Sequence, residues 1–429
     1  MTIDDATRTA ILQAVDAGFE RQVAFTADLV RCPSTRGAEH TVQDLMARAM
    51  RARGLATDLF QMDDEAILAH PGGSRISASH SRAPIVVGIH RPRQEAGRSL
   101  ILQGHVDVVP AGPAEMWSTP PFEPVVKDGW MHGRGAGDMK WGCAANLFAL
   151  DALAAAGLQP ASTVYVQSVV EEESTGNGAL MTHLRGYRAD AALIPEPGGE
   201  TLTRANVGVL WFEIEVKGHP VHVAYMGAGA NAIDAAYRVI GALRGLEADW
   251  NARHGGRGLF AGIEHPFNLN IGRIEGGDWA SSVPAWTRVQ CRIAFPPGTR
   301  AADAAAEIET AVARFARTDP FLANQPPVIT FNGFFAEGYE LKPGSEAETV
   351  LAKAHESIFA RPLEARIGTA YLDGRVYALY DGVPTLTYGA IAEGYHSYDE
   401  RVDLESVRRT TKVMALFIAE WCGVEGRHA

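Results

Sequence analysis

The sequence predicts an α/β fold: a largely parallel central sheet flanked by helices, interrupted by an inserted ferredoxin-like α+β unit. Three observations carry this. Buried, strand-like apolar runs alternate with helical patterns through the first 200 residues and again after residue 340. Between residues 206 and 337 the order changes to β-α-β-β-α-β. The chain of 429 residues is also long enough for two or three domains. The expected division is one domain built from residues 1–205 and 338–429, with a second inserted at 206–337.

Taken in order, residues 6–31 and 40–54 read as helices. In the second, Val42, Leu45, Met46, Ala49 and Met50 follow helical spacing, and Gly54 lies past its end. PIVVGIH (84–90) and SLILQGHVDVV (99–109) read as buried strands. Residues 141–156 form a helix stopped by Gly157, and STVYVQSVV (162–170) returns as a strand. In VLWFEIEVK (209–217), Leu210, Phe212, Ile214 and Val216 alternate with Glu213, Glu215 and Lys217, the pattern of a half-exposed antiparallel strand. A helix near 230–247, strands at 267–275 and 288–295, a helix at 300–317 and a strand at 326–332 complete the insert. A helix at 345–360, a strand at 383–389 and a closing helix at 404–422 rejoin the first domain.

Composition narrows the function. Asp and Glu number 51 against 39 Lys and Arg, a formal net charge of −12, which argues against nucleic-acid or anionic-membrane partners and leaves small-molecule substrates open. Cys32, Cys143, Cys291 and Cys422 are scattered and form no C-x-x-C, which excludes a thiol zinc site and points to buried thiols in a reducing compartment. The start, MTIDDATRTAILQAV, is acidic where a secretion signal is basic, and no apolar run reaches 18 residues. The expected location is the cytoplasm.

Candidate chemistry lies where predicted strands end. His105 and Asp107 are two apart in GHVDVVP, so they share one side of an extended segment, and the carboxylate can orient the ring for a metal. Asp138 sits in HGRGAGDMKWG just before a helix, and a plain N-cap role competes with ligation. This run fails the dinucleotide pattern G-x-G-x-x-G, because Asp138 occupies the third glycine position. Glu171, Glu172 and Glu173 follow a core strand. Three like charges there need a cation or solvent to compensate them. Glu196 is flanked by prolines in ALIPEPGG, and His396 lies in GAIAEGYHSYDE.

In this order, GHVDVVP, GRGAGDMK, the acidic run before a glycine turn, PEP, the insert and the terminal histidine resemble the dinuclear zinc hydrolases that include acetylornithine deacetylase, succinyl-diaminopimelate desuccinylase, carboxypeptidase G-type enzymes and aminoacylases. The resemblance implies two divalent metal ions, Zn²⁺ first with Co²⁺ or Mn²⁺ compatible, held by His105, Asp138, Glu173, Glu196 and His396, with Asp138 bridging. It implies Glu172 as general base, selected with Glu173 over Glu171 by the family's register, and Asp107 as the group orienting His105. In KGHPVHVAYMGAGANAI the matching histidine is His222, which in the family stabilises the oxyanion, often from the partner subunit. The insert becomes a lid and dimerisation domain, and a homodimer is expected. GGDWASSVPAW departs from the family: Ser282 stands where an asparagine is frequent, and the family's strand-end arginine would fall near Ala294, with Arg292 two residues earlier. Trp279 and Trp286 either line the pocket or pack. Arg375 either clamps a substrate carboxylate or pairs with Asp373. The implied activity is hydrolysis of an amide C–N bond in an N-acyl amino acid or small peptide. Alternatives are di- or exopeptidase action, hydrolytic removal of an amino or carbamoyl group, and ligand binding without catalysis.

Overall fold

The computed structural model describes residues 3–427. The strands of its two large sheets are, in chain order, β1 (Ala56–Phe60), β2 (Ile85–His90), β3 (Leu100–His105), β4 (Val164–Val169), β5 (Ala192–Ile194), β6 (Leu202–Ala205), β7 (Gly208–Lys217), β8 (Leu269–Gly276), β9 (Trp286–Phe295), β10 (Val328–Ala336), β11 (Ala365–Ile367) and β12 (Thr385–Tyr388). Eight form one sheet in the order β1-β2-β4-β3-β5-β12-β6-β11. Its centre, β4-β3-β5-β12, is parallel, while β1, β2 and the β12–β6 pair are antiparallel. The parallel centre follows from helical crossovers, which need a helix between successive strands.

The helix Trp141–Ala155 packs against β3 and between the helices Asp5–Val30 and Leu404–Cys422. It is apolar on nearly every side, and residues 141–149 are all buried, as an all-round apolar helix must be. The Asp403 carboxylate caps the last helix by accepting from the Ser406 N–H at 2.7 Å.

The second sheet is antiparallel in the order β8-β9-β7-β10. With the helices Ala232–His254 and Ala301–Thr318 it realises the expected β-α-β-β-α-β order. Leu210, Phe212, Ile214 and Val216 all point into a core separate from that of the first sheet. Each such side chain contributes about 1.5–3 kcal/mol by leaving water.

The sequence reading placed β5 only as the strand end before Glu196, and it has no counterpart for β1, β6, β11 and the helix Asn177–Leu184. Three of these strands span only three or four residues, too short for periodicity to register. The expected strand at 99–109 stops at His105, after which the Val108 N–H donates to the carbonyl of Ser34.

Candidate metal centre

The parallel strands deliver the site. His105 is the last residue of β3, the acidic run follows β4, Glu196 follows β5, and the loop with His396 follows β12. All four segments leave the carboxyl ends of neighbouring strands, where open α/β sheets place their ligands. The helix carrying Trp141 approaches closely because Gly142 has no side chain: a Cβ there would strike the carbonyl of Pro195, beside Glu196.

Asp138 lies at the middle of the cluster. Its Oδ1 is 3.2 Å from His105 Nε2 and its Oδ2 is 3.4 Å from His396 Nε2. Glu173 reaches His396 Nε2 at 2.9 Å. Glu196 Oε1 is 3.6 Å and Glu172 Oε2 3.9 Å from His105 Nε2. His105, Asp138 and Glu173 offer ligand atoms that all lie within 4.8 Å of one another. The structure therefore brings together all five expected ligands and the expected base. Asp138 serves no helix as an N-cap; the residue preceding Trp141–Ala155 is Lys140, whose side chain makes no capping bond.

The acidic run divides cleanly. Glu171 takes a left-handed φ of 66° and turns away. It accepts from Arg36 at 2.6 and 2.9 Å and lies 3.0 Å from His80 Nδ1. Burial alone would raise its carboxyl, but His80 and Arg36 hold it down at about 2. Glu172 and Glu173 face the cluster. Their N–H groups donate to Asp107 Oδ1 and Oδ2 at 3.2 and 3.1 Å. Asp107 thus grips the base-bearing turn with its carboxylate, and its backbone carbonyl, 3.0 Å from His105 Nδ1, is the nearer partner of the ring. The carboxylate itself stands 3.6 Å from that nitrogen.

Burial pushes Glu172, Glu196 and Glu173 above the usual carboxylate range; repulsion from neighbouring carboxylates, Asp138 for Glu173, adds to it, while His105 opposes it, joined by His396 for Glu173. Burial also works against charging His105, yet Glu196 and Glu172 outweigh it and pull the ring well up. His396 is held at about 11, chiefly by Glu173 against the effect of burial. Glu196 Oε1 is buried and accepts no hydrogen bond among the described residues. Two imidazoles and three crowded carboxylates, one oxygen unsatisfied, form a mixed N/O donor set that suits divalent cations.

Sequence reasoning missed the group that fixes this geometry. Glu400 is buried and accepts from the N–H groups of Gly135, Gly137 and Asp138 at 3.0, 2.8 and 2.9 Å and from Arg134 at 2.6 Å. It ties the loop of Asp138 to that of His396. Its only sequence signal was an acid four residues after His396. Asp373 was considered only as a partner for Arg375. It is buried, accepts from Gln103 at 2.6 Å and Tyr371 Oη at 2.9 Å, and burial pushes it up to about 7.

The cluster opens into a cavity of about 570 Å³ that both sheets line. Trp211, Asn270, Arg292 and Phe334 come from the insert, and Tyr371 and Tyr395 from the other side. Five residues weighed for the site lie elsewhere. Arg375 is fully buried and donates to Gly72 O at 2.7 Å, with Glu337 and Tyr380 at 3.4 and 3.3 Å; neither a substrate clamp nor a direct Asp373 pair is formed. His222 is exposed on the insert, bridged to Ser282. Trp279, 74% exposed, and Ser282 line a separate surface groove. Trp286 does not line the cavity and donates to Asp278 at 3.2 Å.

A histidine–carboxylate cluster, buried except at His396, at the strand ends of such a sheet, with an inserted antiparallel sheet forming the opposite wall of its cavity, defines a metal-dependent hydrolase of C–N bonds. Residues 101–420 match the model of peptidase family M20/M25/M40, and the chain belongs to that family. It is 30% identical over 344 residues to N-formyl-4-amino-5-aminomethyl-2-methylpyrimidine deformylase of Bacillus subtilis, spanning 76% of this chain and 79% of that protein. It is 29% identical over 410 residues to succinyl-diaminopimelate desuccinylase of Methylobacterium nodulans, spanning 91% and 93%. Among solved structures, the di-peptidase Dug1p of Saccharomyces cerevisiae superposes with a TM-score of 0.78 at 16% identity, covering 97% of this chain and 98% of that one.

Proposed function

We propose that the protein removes the acyl group from an N-acyl amino acid, using two divalent cations held by His105, Asp138, Glu173, Glu196 and His396. The observation that carries this reading is Asp138, whose two carboxylate oxygens each face a different histidine. His105 with Glu196 would complete one coordination shell, and His396 with Glu173 the other. Zinc suits this set best, with cobalt or manganese as substitutes. Bound there, the cations supply Lewis-acid polarisation of the carbonyl and acidify water.

The chain's own groups do the rest. Glu172, held by the Asp107 grip on its backbone, takes the proton of the attacking water and passes it to the departing amide nitrogen. Trp211 and Phe334 exclude bulk water from the cavity. His222 would act on the oxyanion of a neighbouring subunit, because it stands outside this chain's own cavity. Exposed Val223, Tyr225, Met226 and Trp279 surround it and support a homodimer through residues 206–337, which would also close as a lid.

No described helix is long and apolar enough to cross a membrane, and all four cysteines are free thiols, in keeping with a cytoplasmic site of action. A second reading is deformylation of a heterocyclic formamide, favoured by the identity to the B. subtilis deformylase. A panel of N-acyl amino acids, dipeptides, N-formyl heterocycles and carbamoyl compounds, assayed with metal content measured on the same preparation, tests both. Chelator-sensitive release of free amino acid from N-acyl substrates is expected. Turnover confined to formamides or carbamoyl compounds contradicts the first reading.

A further inference from the structure

The last strand of the insert breaks its pairing where it borders the cavity. In β10, Phe331 pairs with Phe212 and Phe335 with Leu210, so Asn332, Gly333 and Phe334 all stand against Trp211 of β7. A bulge of this kind re-aims side chains. Phe334 and Trp211 meet edge-on, 5.1 Å between ring centres, and both line the cavity. Backbone groups at the bulge are taken up by the loop before β2. Arg75 and Gly333 exchange two N–H···O bonds, at 3.1 and 3.2 Å. The Phe335 N–H donates to Ser74 Oγ at 3.0 Å. Gly333 has a φ of 84°, and a Cβ there would press on the Trp211 ring and on the carbonyl of Ser174, inside the turn that carries Glu172.

Ser74 is fully buried and reaches both ways. Its hydroxyl holds the insert, while its backbone holds the turn after β4. Its N–H donates to Asn177 Oδ1 at 2.9 Å, and its carbonyl accepts from Asn177 Nδ2 at 3.3 Å. The Asn177 N–H donates to Thr175 Oγ1 at 3.1 Å, and the Gly176 N–H closes the turn onto the carbonyl of Glu171 at 2.7 Å. Glu172 and Glu173 lie within that closed turn. A second tie runs beside the first: Arg375 donates to Gly72 O at 2.7 Å and stands 3.4 Å from Glu337, just past β10. A buried N–H without an acceptor is costly, so the Ser74 hydroxyl favours one seating of the bulge against the turn.

We propose that Ser74 is a positioning residue: it sets the base-bearing turn, and with it Glu172, in register with the cavity wall that Trp211 and Phe334 present. The proposal rests on the reading of Glu172 as the base of an N-acyl-amino-acid hydrolase and adds how that base is placed. The wall that meets the substrate and the carboxylate that takes the proton of water are then fixed by one linkage. A misplacement of about 1 Å at such a group costs on the order of 10²-fold in rate.

Two variants cut the linkage at different points. Ser74→Ala removes the hydroxyl and keeps the backbone bonds to Asn177, and Asn177→Ala removes the other end. Both, and the double variant, are compared with wild type for hydrolysis of N-acetyl-phenylalanine and for amide hydrogen exchange, with metal content measured on each preparation. Each single variant is expected to lose on the order of 10-fold in kcat with KM and metal content unchanged. The double variant loses no more, because one linkage is cut twice. Exchange reads the linkage without substrate: in Ser74→Ala the Glu172 and Glu173 amides, which the hydroxyl does not touch, exchange faster by on the order of 10-fold. Unchanged exchange at those amides, unchanged kcat, or additive losses in the double variant overturns the proposal. If Ser74→Ala does not fold, exchange at the Phe335 amide in Asn177→Ala decides: faster upholds the linkage, unchanged overturns it. If wild type hydrolyses neither this compound nor any other N-acyl amino acid, the deacylation reading fails, and exchange alone decides the linkage.

Discussion

At the scale of single residues, three adjacent glutamates have been given three environments. Glu172 is the one left facing His105 without a tight partner, and that is the basis for its role as the base. Glu172→Gln keeps the shape and removes the proton acceptor. Turnover should fall by on the order of 10²–10⁴ with bound metal unchanged, measured by steady-state kinetics beside metal analysis. Glu171 predicts a stability effect. Its carboxyl is held at about 2, below its ordinary 4.5. The unfolded chain therefore binds that proton first as pH falls. The stabilisation is complete above about 4.5 and is lost as pH drops towards about 2. Arg36→Met should cost about 3 kcal/mol at neutral pH and flatten that part of the acid-unfolding profile, read by denaturant titration across pH. The sequence separated Glu171 from its neighbours only through family register. The physical cause, a left-handed turn captured by Arg36 and His80, joins segments far apart in the chain and leaves no local pattern.

At the scale of elements, strand ends and the loops after them decide the site. The long strands and helices were legible because their side chains repeat with period 2 or 3.6; β7 is the clearest instance, its buried face having been read residue by residue. The convergence of the proposed ligands was legible because their residue types stand where those strands stop. The supports were not. Glu400 binds backbone N–H groups of a loop more than 260 positions earlier, and a glutamate in a polar loop has nothing to mark it. Glu400→Ala should loosen both the Asp138 and the His396 loops and weaken metal affinity 10–100-fold in a competitive chelator titration, while Glu400→Gln recovers part of the loss. Arg375 failed in the opposite direction. The sequence offers it either a substrate carboxylate or Asp373 as partner, but the chain buries it against Gly72 and Glu337. Pocket walls depend on cross-strand register, so the row Asn270–Arg292–Trp211 could not be read from the sequence alone.

At the scale of the whole molecule, two sheets with separate cores enclose one cavity, one wall holding the histidine–carboxylate cluster and the other contributed by the insert. In the proposed homodimer, the exposed apolar group around His222 is what a second copy would meet. Tyr225, 72% exposed, is a test of that contact: Tyr225→Glu should shift sedimentation from dimer to monomer and lower turnover with it, since a lone chain keeps His222 away from its own cavity. A fully active monomer would remove His222 from the mechanism. The account as a whole depends on Asp138 serving two metal ions at once. The most direct measurement is the number of divalent ions bound per chain, together with hydrolysis of an N-acyl amino acid, in wild type and in Asp138→Ala. Two ions and chelator-sensitive turnover in wild type, both lost on substitution, are the predicted result. Two ions and undiminished turnover in Asp138→Ala, or turnover in fully metal-stripped protein, would contradict it.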